Sequence, residues 1–237
     1  MGEIPYVGNE LELFMQATTW KNYYSGFLKP FLRGKVLEVG AGIGGTTPAL
    51  CDGTQKKWIC LEPDPDLYVS LEKKIVNRQL PSCCISIKGT TIDLSPSEKF
   101  DAILYIDVIE HIENDAEELA RAKGLLADGG HLIVLVPAHN FLYNEFDKAI
   151  GHYRRYNKKL LSGAAPGELH LIKMRYLDSC GLIASLMNKY FLKQDYPTAS
   201  QISFWNRYMV PVSKPIDWIL NYGVGKTLVG IWQKHKI

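Results

Sequence analysis

The sequence predicts an α/β fold: a doubly wound, mostly parallel seven-stranded sheet, with an N-terminal helical segment and a helical insertion between the last two strands. Three observations carry this. Apolar runs of strand length alternate with segments of helical period from Lys35 to Val136, the rhythm of right-handed crossovers in a parallel sheet. The first run enters a glycine-rich turn, VLEVGAGIGGTT, at the point where such sheets hold ligands. The chain has 237 residues, 46% of them hydrophobic and 22% charged, which suits one domain with a full core.

Taken in order, residues 11–27 place Leu11, Phe14, Met15, Trp20, Tyr23 and Tyr24 near helical spacing, predicting one or two helices. Lys35–Val39 is the first strand. Thr46–Leu50 opens a helix, with Pro48 tolerated in its first turn. Lys57–Leu61 is the second strand. Asp64 is a natural N-cap and Pro65 fits the first position of a helix running to about Arg78. Cys84–Ile87 and Phe100–Ile106 are the third and fourth strands, the latter with the near-continuous apolar character of a strand buried on both faces. A helix over Ala116–Leu126 ends at the Asp-Gly-Gly turn of residues 128–130, and His131–Val136 is the fifth strand, stopped by Pro137. Ala138–Asn157 reads as a polar, aromatic loop. Glu168–Tyr176 alternates like a strand, Leu182–Leu192 and Ile202–Tyr222 look helical, and Thr227–Trp232 is strand-like again. The helical insertion, at about residues 181–223, is expected over the carboxyl ends of the strands. The domain reading is one unit: a helical cap over 1–33, a ligand-binding core over 34–137, and a substrate-side region over 138–237.

No apolar stretch approaches the about 18 residues of a membrane span, and the N-terminus lacks the basic and apolar regions of a secretory signal. Met1-Gly2 resembles a myristoylation start, but Tyr6 stands where Ser or Thr belongs. The five cysteines show no CxxC spacing, so reduced thiols in a cytoplasmic protein are expected, with no zinc site and no metal cluster. Charge is uneven. Residues 1–150 hold 21 acidic and 14 basic side chains, whereas residues 151–237 hold 4 and 13. The basic part suits an anionic substrate group or membrane surface, or is simply a solvated face.

Gly40, Gly42 and Gly45 satisfy the GxGxxG dinucleotide fingerprint, and Glu62, at the end of the second strand, is placed for a ribose diol. Two features favour S-adenosylmethionine over NAD. Glu38, just before the first glycine, suits an ammonium or sulfonium better than a pyrophosphate. The chain also lacks the second domain that many dehydrogenases carry. Gly225-Lys226-Thr227 is not a phosphate loop, because Leu220 replaces the required first glycine.

VLEVGAGIGGTT, the acid of CLEPDP, KGTTIDL, FDAILYIDVIEHI and LLADGGHLIVLVP, in that order, resemble the successive motifs of class I S-adenosylmethionine-dependent methyltransferases over about residues 34–137. FDKAIGHYRRYNKKLL and the C-terminal tail resemble a bacterial subfamily of these enzymes with a GHYRRY loop. The resemblance implies a Rossmann-like sheet, S-adenosylmethionine as cofactor and S-adenosylhomocysteine as product. Carried over by position, it implies that Gly40, Ala41 and Gly42, with Gly44, contact the methionine and ribose portion. Glu62 would accept from both ribose hydroxyls, and Pro63 and Asp64 would flank the adenine. Many relatives have a Gly-Asp pair where this chain reads Gly89-Thr90-Thr91-Ile92, so the adenine amine falls to Asp93 or to the backbone of Thr91 and Ile92. Asp107 and Val108 would lie near the methionine moiety, and His111 would begin the loop beneath the substrate.

Methyl transfer is an in-line displacement in which the acceptor must sit roughly 3 Å from the methyl carbon. Where the acceptor bears a proton, a base helps remove it. His152 in GHYRRY is the expected base, with Tyr153 and Tyr156 orienting or assisting and Arg154 and Arg155 clamping an anionic group. The alternative is that this loop folds back on Asp147. Trp20, Tyr23 and Tyr24 are expected over the cofactor, with Tyr24 reaching the substrate. Phe204, Trp205, Tyr208 and Met209 are expected to line an apolar substrate pocket or to pack in the core. The expected partner is a small apolar or aromatic molecule. The alternatives are a protein or nucleic acid substrate, or a non-catalytic cofactor-binding subunit; the sequence leaves peripheral membrane contact open and does not give the oligomeric state.

Overall fold

The computed structural model describes residues 14–236 except Lys193 and Asp195; Leu11 and the Met1-Gly2 start lie outside the described residues. Seven strands form one sheet: β1 Lys35–Val39, β2 Lys57–Glu62, β3 Cys84–Lys88, β4 Phe100–Ile106, β5 Leu126–Pro137, β6 Leu169–Leu177 and β7 Thr227–Lys234. Their order across the sheet is β3-β2-β1-β4-β5-β7-β6. The first five strands pair in parallel, and β7 returns antiparallel between β5 and β6. Chain order therefore reverses direction between β1 and β4, which opens a crevice at their carboxyl ends.

The pleat divides the core. Val36, Trp58, Cys60, Leu104 and Ile133 point to one face, where Trp20, Tyr24 and Leu28 of α1 (Thr18–Leu28) cover them. Leu37, Ile59, Ile103, Tyr105 and Val134 point to the other, under Leu119 and Ala122 of α4 (Asp115–Leu125). Both faces are dry, so the central strands carry almost no polar side chains.

Local chemistry explains the remaining elements. The helix expected from Thr46 is α2, a single turn over Thr47–Leu50. It is too short for an appreciable dipole. In α3 (Pro65–Val76) the Asp64 carboxylate accepts from the N–H groups of Asp66 and Leu67 at 2.9 Å, and Pro65 begins the helix. The Asp-Gly-Gly segment is no hairpin turn before β5. It is a bulge inside the strand, between the pairs Phe100–Leu126 and Ala102–His131. Gly130 is needed there because a Cβ would meet the Phe100 carbonyl oxygen at 3.0 Å.

The stretch expected as a loop after β5 contains α5 (Glu145–Ala149), opened by a capping box of Asn144 and Asp147. The unforeseen α6 (Lys158–Ala164) follows, capped by Asn157. Between β6 and β7 lie α7 (Ser179–Met187), α8 (Ala199–Phe204) and α9 (Val210–Ile219), with π-helical turns at Asn188–Leu192 and Trp205–Met209. The second π turn precedes Pro211, which has no N–H to give the helical ladder. Two buried carboxylates anchor this region. Asp217 accepts from Tyr23 Oη and from the Asp178 and Ser179 N–H groups, at 2.7–2.9 Å. Asp178 accepts from Trp205 Nε1 and Ser213 Oγ. Among the described residues no helix is long and apolar enough to cross a membrane.

Candidate active site

A cavity of about 1830 Å³ opens at the carboxyl ends of β1 and β4. Small-molecule sites usually occupy about 300–1,000 Å³, so this one has room for a nucleotide-sized molecule and a second ligand beside it.

The glycine turn forms one wall. Gly40, Gly42 and Gly44 have φ of 66°, 56° and 69°, the left-handed region that side chains disfavour. The N–H groups of Gly40 and Ala41 both donate to the Leu61 carbonyl, and the Gly42 N–H donates to Glu62 Oε2 at 2.7 Å. Glu62 Oε1 accepts from the Asp64 N–H at 3.0 Å. Glu62 is buried, yet its carboxylate borders the cavity, and each oxygen keeps a lone pair for a ligand hydroxyl. Burial raises its pKa, against the pull of the two N–H donors. Gly40, Ala41, Gly42, Pro63, Thr91, Ile92, Asp107 and Val108 all line the cavity. Thr91 offers only its backbone there, because its hydroxyl donates to Glu118 at 2.9 Å.

Three expected cofactor contacts lie elsewhere. Glu38 does not border the cavity; its Oε2 accepts from Thr47 Oγ1 at 2.8 Å and Trp58 Nε1 at 2.7 Å, and burial pushes its carboxyl up to about 7. Gly44 packs against Leu71 and Leu80, where a Cβ would stand 2.9 Å from Leu71 Cδ1. Asp93 turns back on its own chain, its Oδ2 accepting from the Thr90 N–H and hydroxyl. Lys21, which sequence reasoning passed over, reaches the wall from α1 and donates to the Gly45 carbonyl at 2.7 Å; burial lowers it to about 8.

The opposite wall is built by the turn after β4 and the GHYRRY loop. His152 Nδ1 lies 2.7 Å from Asp147 Oδ1, and Arg155 Nε donates to both oxygens of the same carboxylate at 2.8 and 3.0 Å. The loop thus does fold back on Asp147, and in doing so leaves His152 Nε2 3.9 Å from Glu110 Oε1. The His111 and His152 rings meet edge to face at 4.5 Å. Burial lowers His111 to about 4, so its imidazole is neutral at pH 7. Asp107 is exposed where it opens onto the cavity between these groups; the atoms packed around its carboxyl raise its pKa, opposed by His152, Lys226 and Arg155. Glu110 is fully buried and neither of its oxygens has a hydrogen-bond partner; burial, then the charge of Asp107, raises it well above the carboxylate range. Glu110 was also missed, although it stands in the motif DVIEHI; its signal was adjacency to His111.

Tyr24, Tyr153, Arg155 and Trp205 line the cavity, with Phe204 and Met209. Two expected substrate contacts do not. Tyr156 is fully buried and its hydroxyl donates to Asp115 Oδ2 at 2.6 Å; Tyr208 is exposed outside the cavity, its ring beside Phe204. Cys51 Sγ lies 3.4 Å from Cys83 Sγ and 3.7 Å from Cys84 Sγ, a cluster that chain spacing did not indicate.

Residues 37–132 match a family model described as a methyltransferase domain. No curated protein matches the chain by sequence. Among solved structures the chain is similar to the N-methyltransferase NodS from Bradyrhizobium japonicum WM9, at 14% identity and a TM-score of 0.56, covering 96% of this chain and 98% of that one. It is similar to coclaurine N-methyltransferase, solved with N-methylheliamine and SAH, at 14% identity and a TM-score of 0.61, covering 92% and 72%. A third is an S-adenosylmethionine-dependent methyltransferase from Clostridium acetobutylicum ATCC 824, at 11% identity and a TM-score of 0.58, covering 93% and 92%. With the glycine turn, the buried acid at the end of β2 and the crevice at β1 and β4, these matches lead to one conclusion: residues 37–132 match a methyltransferase domain, and the sheet that holds them has the fold of S-adenosylmethionine-dependent methyltransferases.

Proposed function

We propose that this enzyme methylates a small apolar or aromatic molecule. One observation carries the reading: a single cavity holds the Glu62–glycine turn at one wall and the Glu110, His111 and His152 group at the other, with apolar side chains between them. Bound at the first wall, S-adenosylmethionine supplies an electrophilic methyl group. Glu62 fits its ribose diol, and the exposed Ile92 side chain suits the adenine face. The chain's own residues do the rest. Trp205, Phe204 and Met209 shield the acceptor from water, Arg155 favours an anionic substituent, and the group around His152 activates the acceptor's proton-bearing atom. Two of the similar structures are N-methyltransferases, one solved with a small-molecule alkaloid, which favours a small acceptor over a protein or nucleic acid.

The test is product formation. Purified enzyme is incubated with S-adenosylmethionine and a panel of aromatic amines, phenols and aromatic acids, and S-adenosylhomocysteine release is followed. Release with at least one small acceptor, at a rate well above cofactor hydrolysis, is the expected result. Release only with peptides or nucleic acid would overturn the substrate class.

A further inference from the structure

We propose that Glu110, His111 and His152 hold a divalent metal ion in the cavity wall, placed to bind an oxygen of the methyl acceptor. One ring nitrogen of each histidine and one carboxylate oxygen of Glu110 lie within 4.8 Å of one another. A four-coordinate ion with bonds of about 2.1 Å needs donors roughly 3.4 Å apart, so the three groups close slightly around it when it binds.

The decisive observation is Glu110. It is 0% exposed, and neither carboxylate oxygen has a partner. An unpartnered buried polar group costs about 1–3 kcal/mol, more when charged, so a fold that keeps one in a cavity wall implies a ligand for it. His152 Nε2 faces this carboxylate while Nδ1 is held by Asp147, the arrangement by which an outer carboxylate orients a metal-binding imidazole. The Asp147 carboxylate is in turn fixed by Arg155 and by its own capping box. Two imidazoles and one carboxylate suit Mn(II), Fe(II) or Zn(II), and three protein ligands leave a position open for an acceptor hydroxyl. The acceptor class then narrows to oxygen-bearing molecules such as phenols and catechols.

This inference rests on the reading of the cavity as the acceptor site, and its test separates the two. Metal-stripped full-length protein is titrated with Mn(II), free ion being followed by electron paramagnetic resonance. Zn(II) is titrated in competition with a chromophoric chelator. Binding of S-adenosylhomocysteine is measured on the same samples. One Mn(II) or Zn(II) per chain is expected at this site. Its affinity should fall at least tenfold in Glu110→Gln and in His152→Ala, and stay unchanged in Cys83→Ser, which perturbs the separate thiol group. Retained S-adenosylhomocysteine binding in both variants would show that their fold is intact. Equal metal binding in parent and variants, or none in the parent, would overturn the metal site while leaving methyl transfer standing. Failure of S-adenosylhomocysteine to bind the parent would instead remove the functional reading beneath it.

Discussion

Both oxygens of the Glu62 carboxylate already accept a backbone N–H, one from Gly42 and one from Asp64. The side chain therefore shapes the turn as well as offering lone pairs to a ligand. Glu62→Ala is expected to weaken S-adenosylhomocysteine binding by about 3 kcal/mol, roughly a hundredfold, by calorimetry; unchanged affinity would remove Glu62 from the cofactor site. His152 stands on the other wall. His152→Ala should slow methyl transfer by about a hundredfold or more while sparing cofactor affinity, and equal turnover on an accepted substrate would exclude it. Glu38 gives a prediction of a different kind. Its carboxyl is raised by burial from 4.5 to about 7, so the folded state holds this proton more tightly than the unfolded one. Its contribution to stability is full below about pH 4.5 and is lost as pH rises through about 7. Unfolding followed by denaturant from pH 5 to pH 8 should show the parent losing stability relative to Glu38→Gln, and parallel curves would contradict this.

At the scale of elements, the strands were legible and the connections less so. Lys35–Val39 and Phe100–Ile106 were read with their full bounds, because both faces of each strand are buried and its apolar character is nearly continuous. The bulge at residues 127–130 was read as a turn, since Asp-Gly-Gly is turn chemistry and only pairing with Phe100 and Ala102 shows otherwise. The seven-residue α6 was missed because its period is too short to rise above the polar segment around it. In the candidate site, the glycine turn and Glu62 were legible as local motifs. Glu110 was not, because its burial depends on distant residues of the GHYRRY loop, whose Tyr153 N–H donates to the Glu110 carbonyl. Tyr156 and Tyr208 were misplaced for a related reason: aromatic residues in a loop and a helix do not reveal which side faces a cavity. Asp217 links three elements, α1, α7 and α9, through three donors. Asp217→Asn loses an acceptor among buried donors and should cost about 2–3 kcal/mol in thermal or denaturant unfolding. A change below about 0.5 kcal/mol would show that this junction does not hold the helical region to the sheet.

At the scale of the whole molecule, the sheet order brings two walls of different chemistry to one crevice. The first wall is built within residues 39–92 by backbone turns and Glu62. The second draws on residues 107–113 and the loop after β5, and is roofed by helices that follow β6. On the proposed reading this division separates cofactor recognition from acceptor recognition, so a change in one wall should leave binding at the other intact. The central claim is that the glycine turn binds S-adenosylmethionine and not a dinucleotide, although GxGxxG fits both. Calorimetric titration of the purified protein with S-adenosylhomocysteine, with NAD as the parallel titrant, tests it most directly. Saturable binding of S-adenosylhomocysteine at micromolar concentrations, with no heat from NAD, is the predicted result; binding of NAD alone would contradict it and make the turn a dinucleotide site.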